Sequence, residues 1–273
     1  MAEPLTELEG AATANGLTED LWLGGRLTLV QPKRGHRVGT DAALLVAAAG
    51  DTQQGRIVDV GAGVGAVGLA LAKQNPLASA DLVEIDAELA QLAESNAARN
   101  GLQPRARVLR LDALNSSERR EAGLPESAHC VVTNPPFFDA GAVRASPHEG
   151  RARAHVLARA GPAQAGLARA GLADWIEASL AMLAPGGRFV MIHRPDALGL
   201  ILAAIGSRLG GLALLPIHPA AGASAHRLLI LGVKGSKAPM RLAPGLVVHG
   251  ADGRMTPEAD ALHRGERLVD WAS

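Results

Sequence analysis

A chain of 273 residues with 27 basic and 27 acidic side chains suits one large domain and carries no global field to draw a nucleic acid or a membrane. The absence of Tyr excludes dehydrogenases and isomerases that rely on a tyrosine acid, and a single cysteine, Cys130, excludes an internal disulfide and any multi-cysteine zinc site. The longest apolar run, Ala42 to Ala49, falls far short of a membrane span, and the acidic N-terminus MAEPLTELEG lacks a signal-peptide pattern. These features lead us to expect a cytoplasmic protein with neither a metal nor a membrane partner.

Residues 1–20 hold five acids and no base and read as a loosely ordered lead-in. Residues 21–54 read as a hairpin around Gly24-Gly25, a basic loop from Pro32 to Gly39, and a helix over about 42–49 capped by Thr40 or Asp41. From residue 55 to the end, short apolar runs alternate with helical segments. Runs at Arg56–Val60, Asp81–Ile85, Arg107–Leu111 and His129–Thr133 predict four strands, with helices through about Asn75 and over Ala87–Asn100. Further on come a helix near 172–183, a turn at Pro185-Gly186-Gly187, a strand Arg188–His193, a helix 196–209 and strands at Leu212–Ile217 and His226–Val233. One more strand and a helix complete the chain after Lys237. This rhythm predicts an α/β fold with a mostly parallel sheet covered on both faces, and alanine, roughly a fifth of all residues, suits helices packed closely on it. Cys130 sits in an apolar run and reads as a buried strand residue.

The segment Asp59-Val60-Gly61-Ala62-Gly63-Val64-Gly65-Ala66-Val67-Gly68 lies where the first strand becomes a helix. Glycines there let the backbone turn sharply and approach a ligand. From Gly63 it reads as G-x-G-x-x-G, the dinucleotide fingerprint, with Glu84 at a suitable distance; an NAD-dependent oxidoreductase is therefore one reading. From Asp59 it reads as D-x-G-x-G-x-G, which resembles motif I of class I S-adenosylmethionine (SAM) methyltransferases. Glu84, ending the second strand, can accept from two ribose hydroxyls, and Asp112, after the third, can accept from an adenine amine. Neither separates the two cofactors. Asp86 precedes a helix and reads as its N-cap.

Asn134-Pro135-Pro136-Phe137 directly follows the fourth strand, and open wound sheets bind ligands at the carboxyl ends of their strands. The prolines remove two donors and leave carbonyls facing the cleft. The Asn134 side-chain oxygen and the Pro135 carbonyl could hold the hydrogens of a planar amine, aiming its lone pair at a methyl donor, while Phe137 stacks on the base at about 1–3 kcal/mol.

With these motifs together, the sequence resembles the amino-group methyltransferases of the class I SAM-dependent fold, which modify adenine N6, guanine N2 of rRNA or the glutamine amide of release factors. The flanks Gly35–Asp41, Asn134–Phe138 leading to Arg151–His155, and Val248-His249-Gly250 with Thr256–Ala259 resemble bacterial tRNA1(Val) (adenine-37-N6)-methyltransferases over roughly residues 20–268. The resemblance implies a Rossmann-like sheet of seven strands, with Gly61, Ala62 and Gly63 against the methionine part of SAM. It implies Glu84 at the ribose, Asp112 at the adenine, Ile85, Ala113 and Asn134 also at the cofactor, and Asn134 with Pro135 at the target amine. Thr40 and Asp41 would close over the methionine end. Many relatives carry Tyr where Phe137 stands, which keeps the stacking and loses a phenol hydrogen bond.

An RNA needs cations that the balanced whole does not provide. Arg144, Arg151, Arg153, Arg159 and Arg169 face a single acid, Glu149, just beyond the tetrapeptide, and Lys33, Arg34 and Arg37 lie on the N-terminal loop. Two basic stretches converging on one cleft suit local phosphate binding, and Phe138 could help receive a splayed base.

Overall fold

The computed structural model describes residues 16–34, 37–52, 54–136 and 171–271. The hairpin pairs β1 (Leu17–Trp22) with β2 (Leu27–Pro32). It turns through Leu23, Gly24 and Gly25, all at positive φ. β1 begins at Leu17, inside the stretch expected as lead-in, because Thr18 and Asp20 find partners across the hairpin: Gln31 donates to Asp20 at 2.8 Å, and the Thr18 hydroxyl lies 3.4 Å from Gln31 O.

The hairpin's free edge is closed by α3 (Ala87–Arg99) and its cap residue, Asn100. Asn96 accepts from Val30 N–H at 2.8 Å and donates to Val30 O at 3.0 Å; Asn100 does the same with Thr28, at 3.0 and 2.8 Å. Two amides one helical turn apart thus stand in for a third strand. Asp86 caps α3 as expected, accepting from Glu88 and Leu89 N–H.

One sheet in wound order follows, with β3 (Gln54–Val60) and α2 (Ala66–Gln74) first, then β4 (Leu77–Glu84), β5 (Ala106–Arg110), α4 (Ser116–Glu121) and β6 (Ala128–Thr133). After α5 (Leu172–Met182) come β7 (Leu183–His193), α6 (Leu198–Ile205), β8 (Leu209–Ala220) and β9 (Arg227–Lys234). Spatial order is β5-β4-β3-β6-β7-β9-β8, parallel except for β9, which runs against both neighbours. Short strands β10 (Arg241–Leu242) and β11 (Leu246–His249) add to the outer edge of β8, and α7 (Pro257–His263) follows. The dinucleotide order ends 4-5-6 with no inserted strand; the antiparallel β9 departs from it.

Side chains alternate across the sheet as a two-residue period requires. Ile57, Leu82, Cys130, Val132, Val190 and Ile192 pack on the side of α1 (Thr40–Ala49), α2 and α3. Val58, Val83, Val131, Phe189 and Met191 pack on the side of α5 and α6. Cys130 is fully buried, which pushes its thiol up to about 11.

Four further regions differ from the sequence expectation. α1 starts at Thr40 with Gly39 as N-cap and no side-chain cap, so Thr40 and Asp41 lie inside its first turn. The Asp41 carboxylate instead accepts from Arg227 Nε at 2.7 Å, across 186 residues. β7 runs through Pro185-Gly186-Gly187, expected as a turn; a register irregularity between the Ala128 and Cys130 pairings absorbs the extra residues. The helix expected over 196–209 is the shorter α6, which ends where Gly206 turns to φ 56. After Lys237, two short strands stand where one was expected.

Candidate cofactor and methyl-transfer site

Strand β3 ends at Val60, and the chain turns into α2 through Gly61, Gly63 and Gly65 at φ 75, 56 and 85. Val83 O of the neighbouring strand accepts from both Gly61 N–H and Ala62 N–H, at 2.9 and 3.0 Å. Each glycine meets a different constraint. A Cβ at Gly61 would lie 3.0 Å from Trp175, and one at Gly65 3.0 Å from Leu82. One at Gly68 would collide with Leu82 at 2.2 Å. A Cβ at Gly63 would meet nothing within 4 Å, so open space lies where a ligand would approach the backbone. Asn96 donates to Val64 O at 2.9 Å and holds the turn from behind.

Two buried acids support this turn. Asp59 accepts from Gly68 N–H at 2.8 Å. Burial pushes its carboxyl up to about 7 against the pull of that N–H, and the nearby Glu84 adds to the rise. Glu84 closes β4: one oxygen accepts from Gly63 N–H at 2.8 Å, the other from Ile85 and Asp86 N–H at 2.9 Å each. Burial raises its pKa too, opposed by those three N–H groups. A carboxylate offers about four lone-pair directions, and three are used. Glu84 therefore retains one position for a hydroxyl. No cation is recorded against either acid among the described residues.

Asp112 follows β5 as expected, half-buried, and its Oδ1 accepts from Leu114 N–H at 2.9 Å. Ala113 is buried and its carbonyl accepts from Arg119. Thus Gly61, Ala62, Gly63, Glu84, Ile85, Asp112 and Ala113 come together along the carboxyl ends of β3, β4 and β5. An acceptor pair beside an open glycine turn fits the ribose and the adenine of SAM.

Asn134 lies one step past the register pair of Val60 and Thr133, beside the start of the turn. It is exposed, and Pro135 is buried. Thr133 and Trp175, unremarked in the sequence, lie beneath. Trp175 Nε1–H donates to Thr133 Oγ1 at 2.9 Å, and Thr133 O–H donates to Val60 O at 2.8 Å. Only the Thr ending a buried apolar run hinted at this. His193, also unremarked, ends β7 at the same rim, and burial lowers its pKa.

The predicted RNA contacts separate. Lys33 and Arg34 are exposed. Arg37 instead bonds Asp20 at 3.0 Å and Thr18 at 3.1 Å, which commits much of its charge to the hairpin. Phe137, Phe138, Arg144, Arg151 and Arg153 lie outside the described residues. No helix among the described residues is long and apolar enough to cross a membrane.

Comparison with known proteins agrees with this geometry. The methyltransferase small domain family matches residues 35–150. A relative from Erwinia tasmaniensis, named tRNA1(Val) (adenine(37)-N6)-methyltransferase, is 36% identical over 118 residues, 43% of this chain and 46% of the relative. One of the same name from Pedobacter heparinus is 38% identical over 103 residues, 37% of this chain and 41% of the relative. The chain thus spans under half the length of these curated relatives. A 16S rRNA guanine-N2 methyltransferase from T. thermophilus shares the fold at TM-score 0.51, 20% identity, covering 80% of this chain and 50% of that one. A crystal structure from Agrobacterium tumefaciens, described as a predicted O-methyltransferase, superposes at TM-score 0.67 with 33% identity and covers 84% of this chain and 98% of that one. With a relative this similar aligned over nearly its whole length, and with the wound sheet, glycine turn and buried Glu84 all in place, the chain belongs to the class I SAM-dependent methyltransferases.

Proposed function

We propose that the protein transfers a methyl group from SAM to an exocyclic amino nitrogen, adenine N6 of a cytoplasmic tRNA. The observation that carries the reading is Asn134-Pro135 at the end of β6, one register step from the glycine turn. Bound SAM supplies an electrophilic methyl on a sulfonium. The chain's part is orientation: Asn134 Oδ1 and Pro135 O accept the two amine hydrogens, which directs the nitrogen lone pair along the line of attack. Gly61, Ala62 and Gly63 pack against the methionine part, with Thr40 and Asp41 at its end. Glu84 and Ile85 hold the ribose, and Asp112 and Ala113 the adenine. Phe137 stacks on the target base. Lys33, Arg34, Phe138, Arg144, Arg151 and Arg153 hold the RNA strand, with a smaller share from Arg37.

The name of the Agrobacterium neighbour raises a second reading, an oxygen acceptor. A hydroxyl presents one hydrogen and leaves one of the two acceptors idle, so the amine is the better match. Methylation of bulk tRNA with labelled SAM, followed by nucleoside separation, decides between them. Label in N6-methyladenosine is expected; label in a ribose-methylated nucleoside, or only in protein, refutes the reading. Asn134→Ala is expected to bind SAM within about threefold of the unaltered protein and to lose at least about 100-fold in turnover; undiminished turnover refutes its role.

A further inference from the structure

We infer that Thr133 and Trp175 are positioning residues: they fix the β6 end that carries Asn134 at a set distance from the cofactor turn. The inference rests on the proposed role of Asn134. Parallel pairing of β3 and β6 ends at Val60 and Thr133. Beyond that point no ladder bond joins the two strands, yet Gly61 and Asn134 must keep a fixed relation if a methyl is to pass between their ligands. The Thr133 hydroxyl supplies the last cross-strand link, donating to Val60 O at 2.8 Å. It is itself held by the indole N–H of Trp175 at 2.9 Å. The same indole closes on the other half of the site, since a Cβ on Gly61 would stand 3.0 and 3.1 Å from its Cζ2 and Cη2. One ring from α5 therefore touches both the residue before Asn134 and the first glycine of the turn. Both side chains are buried, Thr133 at 0% and Trp175 at 4% exposure. A valine over a phenylalanine would fill such an apolar layer without polar atoms to desolvate, so packing alone does not call for this chain of bonds.

The test compares Thr133→Val, Thr133→Ser and Trp175→Phe in the full protein. Amide hydrogen exchange read on peptides spanning 58–64 and 130–136 does not depend on turnover. Thr133→Val is expected to speed exchange about tenfold in both peptides, Trp175→Phe less, and Thr133→Ser hardly at all. With tRNA and SAM, Thr133→Val is expected to lower kcat about 10- to 100-fold at a SAM Kd within about threefold, with serine restoring most of it. Unchanged exchange at both strand ends overturns the inference, as does a kcat equal to that of the unaltered protein. A parallel fall in kcat and SAM affinity that serine does not rescue also overturns it and marks a merely structural role. Undiminished turnover in Asn134→Ala, with exchange altered as expected, would remove the proposed role of Asn134 and leave the strand-end link standing.

Discussion

Strand β4 carries two buried acids three residues apart, Asp81 and Glu84, at 6% and 8% exposure, and they are satisfied in opposite ways. Asp81 sits between two guanidinium groups, Arg56 at 2.5 Å and Arg107 at 2.9 Å, contributed by the strands on either side. Its charge is met within the fold, and it braces β3, β4 and β5 together. Glu84 has backbone N–H partners and no cation among the described residues, and burial raises its pKa. One acid is complete without a ligand. The other is held in place at some electrostatic cost, which in the proposed function a ribose hydroxyl donating to its remaining acceptor position would offset. A buried acid near a strand's carboxyl end is therefore informative about binding only after its counter-charges are identified.

Breaking the brace should give the largest effect. Asp81→Ala leaves two arginines without their shared carboxylate and is expected to cost about 3 kcal/mol in urea unfolding, with SAM affinity of the folded fraction unchanged. A loss below about 1 kcal/mol would mean that solvent screens the pair. Glu84→Gln should show the reverse pattern: SAM Kd raised about 10- to 100-fold by calorimetry, with unfolding free energy altered by about 1 kcal/mol or less. Equal losses in both measurements would erase the distinction between the two acids.

The glycines sharpen it further. Gly68→Ala drives a Cβ into Leu82 and is expected to cost about 1–3 kcal/mol of stability. Gly63→Ala meets open space at φ 56, costing about 1 kcal/mol in backbone strain and weakening SAM binding out of proportion to that loss. A further effect is read through pH and not through a single loss of stability. Asp59 is held above its ordinary value, up to about 7. The folded protein therefore keeps a proton that the unfolded chain releases near 4. Stability without cofactor should fall as pH rises from about 4 to about 7 and level off above. Asp59→Asn should flatten that slope; thermal melts across the range check it.

What the sequence makes legible follows from which interactions are local. The strand runs, the glycine turn and the Asp86 cap depend on neighbours a few residues away, and these were found in place. The Gly39 cap is hidden from the sequence because Asp41 is drawn to Arg227, a partner no local pattern shows. β1 starts earlier than its polar residues suggest because these are satisfied across the hairpin and against Arg37. In the site, Glu84 and Asn134 stood out because their types suit the chemistry. Thr133 and Trp175 did not, since their meaning depends on α5 crossing two strand ends, a matter of packing and not of spacing.

The ring that α5 lays against Gly61 has an optical consequence. The chain has three tryptophans and no tyrosine, so its near-ultraviolet emission comes from indole alone. Trp22 is in the hairpin, and Trp271 donates its N–H to Ala48 at the base of α1. Trp175 therefore carries, in its own spectrum, a signal for anything that settles on the glycine turn.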